Sequence, residues 1–373
     1  MPISFVNLKK QHQGLSGELK TAFERVLDHH EFTLGREVEN FEKHWAQFVG
    51  TKYALGCSSG TDALILALRA LDIGEGDEVI TVAHTFFATI EAVVQVGATP
   101  ILVDITEDRG LMDVSKLELL ITKRTRAIIA VHLYGHPVDM QSVLEICKKH
   151  GLFCIEDAAQ AHGATYYGKS AGSIGDIGAF SFYPSKNLGA LGDAGAVVTN
   201  NTELAEKVRS LRDHGKVDKY EHHLWGSNMR MDGFQAAFLS VKLPKLSEWL
   251  ECRRQAACIY RDRLKNLEGI ELLVDDANVE HSYHLFVVRT LKRDWLRKEL
   301  GKHGIETGVH YPIPCHLQQS WRRKFPLVSL PSTEEFARTC ISLPMYNDIS
   351  PADVEEVVSV LKLIQVSLQT SRS

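Results

Sequence analysis

Several patterns that would assign the chain to a particular class are missing from its sequence. No CxxC pair occurs among the seven cysteines, and no HExxH segment occurs among the 17 histidines. These absences argue against a structural zinc site, a redox dithiol and a zinc protease, so we predict no metal site. Scattered cysteines in odd number are typical of reduced thiols, and we therefore expect a cytoplasmic protein.

Long apolar runs and basic clusters are also absent. No stretch approaches the roughly eighteen consecutive apolar residues of a membrane-spanning helix. The start, MPISFVNLKKQ, lacks the apolar core of a signal peptide. With 42 basic against 47 acidic residues and no Lys/Arg run, the sequence predicts no nucleic-acid or membrane partner. The remaining composition, 44% hydrophobic and 24% charged, is that of an ordinary globular protein.

The length of the chain, 373 residues, exceeds that of one compact core of usual size. Near Pro244 an alternation of short apolar strands and helices gives way to a long helical pattern, from Lys245 to Leu267. Two short strands and two more helices follow that pattern. We therefore predict a large domain at 1–244 and a smaller α+β domain at 245–373.

The large domain is predicted to be α/β. Val38, Phe41 and Trp45 are spaced as on one face of a helix, which should end at Gly50. Short apolar strands that alternate with helices then indicate a mostly parallel sheet covered on both faces, with ligands at the carboxyl ends of its strands. Strands are predicted at Tyr53–Cys57, Glu78–Val82, Pro100–Ile105, Ala127–Val131, Leu152–Ile155, Ile177–Phe182 and Ala194–Val198.

Three predicted strand ends carry polar residues. In CSSGTDALILAL a turn of small residues opens a helix, whose free N–H groups and the Thr61 hydroxyl could hold a phosphate. Serine and threonine in this position are more often simple helix caps. In LFCIEDAAQAHGA an apolar strand ends at Asp157, a costly charge unless it is paired. A protonated pyridine nitrogen would suit it, although Asp157 could also cap a following helix.

The third strand end, GAFSFYPSKNLGALGDAG, places Lys186 in a nearly uncharged loop between two apolar strands. Burial there would depress the lysine pKa, as a Schiff-base lysine requires, whereas an exposed loop lysine is the commoner alternative. A phosphate cradle, an acidic strand end and a desolvated lysine in this order are the parts that a pyridoxal-phosphate (PLP) enzyme needs.

These segments, together with GSNMRMDGFQAA, resemble the DegT/DnrJ/EryC1/StrS family of nucleotide-sugar aminotransferases, which have PLP fold type I. The resemblance implies that Lys186 carries the cofactor and that Asp157 contacts its pyridine nitrogen. It also implies that Gln160 bonds the phenolic oxygen and that Phe86 stacks on the ring. The phosphate would be held by Gly60, Thr61 and Ser181, and by Asn228 of a neighbouring subunit, which implies a homodimer with shared active sites.

The same resemblance implies the substrates. Glutamate would donate an amino group to a keto sugar linked to a nucleotide, dTDP or UDP, for the amino sugars of lipopolysaccharide, O-antigen or antibiotics. HYPIPCHLQ and the residues after Asn228 resemble the branch that aminates carbon 3, with carbon 4 as the alternative. Candidate substrate contacts are Tyr183, His310, Tyr311 and His316, with Arg230 as a candidate for the donor carboxylates.

Three other interpretations remain open. Gly163–Ser170, GATYYGKS, fits the P-loop pattern of nucleotide-binding proteins, but tyrosines fill its centre and a strand-like stretch follows it. A non-catalytic PLP-binding protein would not need the full set of Asp157, Gln160 and Lys186. A dehydratase on the same scaffold has histidine in place of the lysine, and Lys186 is retained here.

Overall fold

A seven-stranded sheet forms the centre of the computed structural model, which describes the backbone of residues 2–370 and the side chains of residues 2–365. The strands, in chain order, are β1 (Tyr53–Cys57), β2 (Glu78–Val82), β3 (Thr99–Val103), β4 (Thr125–Val131), β5 (Phe153–Asp157), β6 (Thr165–Tyr166), β7 (Lys169–Ser170), β8 (Ile177–Ser181), β9 (Gly195–Thr199), β10 (Glu271–Leu272), β11 (Val279–Glu280), β12 (Phe286–Arg289) and β13 (Cys340–Leu343).

Helices cover the sheet and build the C-terminal part. They are α1 (Leu8–Gln13), α2 (Ser16–His29), α3 (Arg36–Val49), α4 (Gly60–Ala70), α5 (Ala88–Gln95), α6 (Met140–His150), α7 (Thr202–Leu211), α8 (Gly233–Lys242), α9 (Leu246–Leu264), α10 (Arg293–Lys302), α11 (Gln319–Lys324), α12 (Pro331–Thr339) and α13 (Pro351–Thr370). Short 3₁₀ helices lie at Val114–Leu120, Leu133–Gly135, Leu243–Lys245 and Cys315–Leu317.

The central sheet has the order β1-β9-β8-β5-β4-β2-β3. Strand β9 is antiparallel to both of its neighbours, and the other adjacent pairs are parallel. The prediction of a mostly parallel α/β sheet is therefore confirmed. All seven predicted strands are present, and their ends shift by no more than two residues. One of the two-residue shifts matters for the site, because β5 extends to include Asp157.

Hydrophobic periodicity in the sequence predicts helix α3 but does not predict helix α2. Helix α3 buries Val38, Phe41 and Trp45 and ends at Gly50, which has a left-handed backbone (φ +80°) that favours glycine. Helix α2 was not predicted, although its buried residues have helical spacing. Phe23 lies beside this buried stripe and stacks on Phe234 of α8, although it is 45% exposed.

The C-terminal part has its own antiparallel sheet, in the order β10-β12-β13. The chain enters it from α8 through the 3₁₀ turn Leu243–Lys245 and α9. Leu246 and Leu250 of α9 pack with the core of the central sheet, whereas residues from Ala256 onward pack in a separate C-terminal cluster. That cluster also includes Ile3. The two cores therefore meet along α9, and the boundary at residues 244 and 245 stays a prediction.

Candidate active site

A cavity of about 540 Å³ opens at the carboxyl ends of the parallel strands. Its volume lies within the range of roughly 300–1,000 Å³ that is usual for small-molecule sites. The structure brings most of the residues that were singled out in the sequence to its wall. These are Gly60, Thr61, Phe86, Asp157, Gln160, Ser181, Tyr183, Lys186, His310 and Tyr311.

One end of the cavity is a cradle at the start of α4. The Ser59 hydroxyl caps this helix by accepting the Asp62 N–H at 3.0 Å. Gly60 must lack a side chain, because a Cβ there would lie 2.6 Å from the Cβ of Ser181. The N–H groups of the first helical turn have no carbonyl partners within the helix and therefore suit an anion. The cap made by Ser59 therefore leaves the neighbouring residues of the turn available to an anion.

A buried carboxylate lies at another wall of the cavity. Asp157 accepts the Thr89 hydroxyl at 2.7 Å through Oδ2 and the Ala159 N–H at 3.2 Å through Oδ1. Burial raises the pKa of Asp157, and these two donors oppose that rise. The alternative that Asp157 caps a helix is wrong, because turns rather than a helix follow it. A nearby cation would stabilise this carboxylate.

Lys186 is half-buried and lines the same cavity. Its loop is held by backbone bonds, among them the Lys186 N–H to the Tyr183 carbonyl at 2.9 Å. Burial lowers the pKa of the Lys186 amine to about 8, and the negative charge of Asp157 limits the fall. A substantial fraction of this amine is therefore neutral near physiological pH, as a nucleophile or proton acceptor requires. The alternative of an ordinary exposed loop lysine is wrong.

Gln160 connects two sides of the cavity through its carboxamide. Its Oε1 accepts the Tyr134 N–H at 2.7 Å, and its Nε2 donates to the Tyr311 hydroxyl at 3.1 Å. The Tyr311 ring lies 5.9 Å from that of Phe86, centroid to centroid. Phe86 is 58% exposed at the mouth of the cavity. The carboxamide and the two rings together form one wall of the cavity.

Three predicted residues do not reach the cavity of their own chain. Asn228 is exposed, and Arg230 donates to Asp213 at 2.8 Å. His316 is buried, and its Nε2 lies 3.2 Å from Oε1 of Glu334. Their assignment to cofactor or substrate stays a prediction, which for Asn228 already required a second subunit.

The structure adds polar residues that the sequence did not reveal. Thr89, His132, His284 and Ser185 line the cavity. No sequence signal marks Thr89, whose hydroxyl lies 2.8 Å from that of Thr85 in the folded chain. The same holds for His284, whose Nδ1 lies 3.1 Å from the side chain of Asn187, distant in sequence.

The P-loop interpretation of Gly163–Ser170 is wrong. Strands β6 and β7 in this segment pair as an antiparallel hairpin, so Lys169 lies on a strand and not at the start of a helix. The Tyr166 hydroxyl, within this hairpin, donates to Asp139 at 2.7 Å. Among the described residues, no helix has the length and apolar composition required to cross a membrane.

The residues of the cavity fit PLP. An anion cradle that a Cβ at Gly60 would fill suits the phosphate, and the buried Asp157 carboxylate suits the pyridine nitrogen. Lys186, with its lowered pKa, shares the cavity with both. Solved structures of the same fold hold PLP or its amine form, PMP.

Comparisons with known proteins agree with this fit. The chain is 47% identical to a dTDP-3-amino-3,4,6-trideoxy-alpha-D-glucose transaminase of Streptomyces venezuelae, over 92% of this chain and 91% of that protein. It is 42% identical to a UDP-N-acetyl-3-dehydro-alpha-D-glucosamine 3-aminotransferase of Acidithiobacillus ferrooxidans, over 96% and 97%. A crystal structure of DesV from S. venezuelae, in complex with a ketimine intermediate, matches with a TM-score of 0.95 and 44% identity, covering 98% of each chain.

These likenesses confirm PLP fold type I and an aminotransferase activity that depends on PLP. The model of the DegT/DnrJ/EryC1/StrS aminotransferase family matches residues 14–362, nearly the whole chain. The chain therefore belongs to the DegT/DnrJ/EryC1/StrS aminotransferase family.

Proposed function

We propose that this enzyme moves an amino group from glutamate to carbon 3 of a keto hexose linked to dTDP or UDP. The observation that carries the proposal is the shared cavity of Lys186, Asp157 and the Gly60 cradle. Two of the relatives described above, one acting on a dTDP sugar and one on a UDP sugar, are named for 3-amino transfer. Amination at carbon 4 is the alternative.

The roles of the chain's residues follow from their surroundings. When bound, PLP supplies an electron sink that stabilises negative charge on the carbon that loses its proton. Asp157, held by Thr89 and the Ala159 N–H, would bind its ring nitrogen, and Gly60, Thr61 and Ser181 would bind its phosphate. Gln160 and Phe86 would contact its phenolic oxygen and its ring face.

Lys186 carries the proton in both halves of the reaction. Its amine, with a pKa of about 8, can accept a proton from the donor's alpha carbon and later return one to the sugar carbon. Phe86 and Tyr183, more than half exposed at the mouth, can cover a bound sugar and exclude water. His310 and Tyr311 line the cavity and would offer polar groups to the sugar.

The working form is proposed to be a homodimer with shared sites. The cofactor phosphate, the nucleotide diphosphate and the donor carboxylates are all anionic. Yet, of the described residues that line the cavity, Lys186 alone is a lysine or arginine. The exposed segment around Asn228 carries Arg230 and packs behind the cradle, where the Met229 carbonyl accepts the Ser58 N–H at 3.1 Å. A second subunit could supply such a segment to each site.

We place the enzyme in the cytoplasm, because its cysteines are all free and five of them are buried. The function is tested with holoenzyme, glutamate and a panel of 3-keto and 4-keto nucleotide sugars, with products identified by mass and NMR. Amination at carbon 3 supports the proposal. A product aminated only at carbon 4 would overturn the regiochemistry, and no amination of any sugar would overturn the substrate class. Lys186→Ala is the inactive control.

A further inference from the structure

Tyr134 lies beneath the cavity, fully buried, and joins three parts of the site. Its backbone N–H donates to Oε1 of Gln160 at 2.7 Å. Its hydroxyl donates to the carbonyl of His310 and lies 2.6 Å from Nε2 of His84. Tyr134 thus contacts the cofactor-facing glutamine through its backbone. Through its hydroxyl it contacts the segment that begins at His310 and the segment that carries Phe86.

The direction of each hydrogen bond in this group is fixed by chemistry. The His310 carbonyl can only accept, so the Tyr134 hydroxyl must donate its proton to it. The Tyr134 oxygen can then only accept from His84, whose Nε2 must carry the ring proton. Burial, and next the charge of His310, lowers the pKa of His84 to about 3, so the ring stays neutral with one proton. Its Nδ1, which has no hydrogen-bond partner among the described residues, is the bare nitrogen.

The consequence is a one-way relay from His84 through Tyr134 to the backbone of His310. The next residue, Tyr311, returns to the cofactor side, because its hydroxyl accepts from Nε2 of Gln160 at 3.1 Å. The Tyr134 N–H fixes the orientation of the Gln160 carboxamide, because after a flip this N–H would face the Nε2 donor and lose its acceptor. Buried hydrogen bonds therefore fix the position of the His310–Tyr311 segment relative to Gln160.

We propose that Tyr134, oriented by His84, is a positioning residue that holds the segment His310–Tyr311 in the place needed to bind the keto sugar. The inference rests on the proposed function, since it assigns the sugar to that wall. The Tyr134 hydroxyl contacts neither Lys186 nor Asp157, so the donor half-reaction should depend on it little. A phenylalanine would fill the same space and would lack only the hydroxyl.

The first test compares the two half-reactions of the Tyr134→Phe holoenzyme. We expect the KM for the keto nucleotide sugar to rise roughly tenfold or more, because the two hydrogen bonds of the Tyr134 hydroxyl no longer hold the segment that would face the sugar. The conversion of the cofactor by glutamate, followed by its absorbance, should stay within about twofold of wild type. The proposal would be overturned by an unchanged KM, or by rates that fall equally in both half-reactions. Tyr134 would then be a purely structural residue.

The second test needs no substrate. Hydrogen exchange of the holoenzyme should be faster in peptides that contain His310 and Tyr311 when Tyr134 is phenylalanine, and unchanged in peptides that contain Lys186. His84→Gln, whose amide can still donate to the Tyr134 hydroxyl, should retain wild-type protection, whereas His84→Phe should lose it. Equal protection in all variants would refute the relay. Because this readout is independent of turnover, failure of wild type to aminate any sugar would refute the proposed function alone.

Discussion

The Thr89 hydroxyl donates to the Asp157 carboxylate at 2.7 Å, across 68 positions of sequence. This bond joins α5 to the end of β5 and helps to keep a buried carboxylate ionised, against the rise in its pKa that burial causes. The negative charge at the wall where the pyridine nitrogen would bind therefore depends on a residue that no sequence motif marks.

Thr89→Val should weaken PLP binding. A hydrogen bond to a charged acceptor is worth about 1.5–3 kcal/mol, so we expect the affinity for PLP to fall roughly 10- to 100-fold. The affinity is measured by titrating the apo-enzyme with PLP and following the absorbance. Thr89→Ser keeps the hydroxyl and is the matched control. Equal weakening by valine and serine would assign the effect to packing of the methyl group.

Lys186→Ala should abolish both the covalent link to PLP and turnover while the fold persists. Loss of general-base catalysis alone costs roughly 10²- to 10⁴-fold in rate, and loss of the covalent link adds to that. The visible absorbance of lysine-bound PLP, turnover and the melting temperature are the readouts. Lys169→Ala, on the exposed β7 of the segment that resembles a P-loop, should leave all three unchanged. An alanine variant at 186 with wild-type turnover would contradict the mechanism.

The sequence predicted the parts of the site that lie at strand ends. Asp157 stands out because it ends an apolar strand, and Lys186 because it lies in a nearly uncharged loop between two apolar strands. A charge without a function is costly where it is buried. Tyr134 and Thr89 do not stand out, because each looks like an ordinary core or helix residue. Their importance arises from contacts with Gln160 and Asp157, which only the folded chain brings near.

Pattern also could not decide where charged side chains point. Arg230 and His316 belong to segments that resemble substrate-facing ones, yet within the chain each has an acidic partner, Asp213 or Glu334. In the fold, α8 was missed because Gly233 opens it and its apolar residues occupy most of its circumference, which hides the helical period. The strands of the central sheet were therefore easier to predict from local sequence than helix α8, which packs against α2 and α3.

The capture of PLP by the apo-enzyme should depend on pH through Lys186. Burial lowers the pKa of its amine from 10.5 to about 8, so the neutral, reactive form should grow about tenfold per pH unit up to that value and then level off. Rates of absorbance change between about pH 6 and about pH 10 measure the midpoint. Asp157→Asn removes the charge that limits the fall and should move the midpoint to lower pH.

The lowered pKa of Lys186 should also make the free energy of unfolding depend on pH. Below a pH of about 8 the Lys186 amine is protonated in both states, so the native state carries the full cost of burying its charge. As the pH rises from about 8 toward 10.5, the native state releases the proton first, and this cost is relieved. The contribution of Lys186 to the free energy of unfolding should thus increase across that window. Lys186→Met in the apo-enzyme should remove the increase, as measured by urea unfolding at both ends of the window.

Shared active sites predict that two inactive variants can restore each other. If Asn228 of one subunit completes the phosphate site of the other, a mixed dimer of Asn228→Ala and Lys186→Ala contains one intact site and one doubly impaired site. Random reassortment of equal amounts should then recover about a quarter of the wild-type sites. Activity is measured after mixing and brief dissociation in mild denaturant.

The control for this experiment pairs Lys186→Ala with Thr89→Val. Thr89 and Lys186 line one cavity of a single chain, so a mixed dimer of these variants has no intact site. We therefore expect no recovery beyond the residual activity of Thr89→Val. Recovery in both mixtures would point to general stabilisation by the partner and not to a shared site. If neither mixture recovers although the dimers exchange subunits, or if a monomer is fully active at assay concentration, Asn228 does not act across the interface.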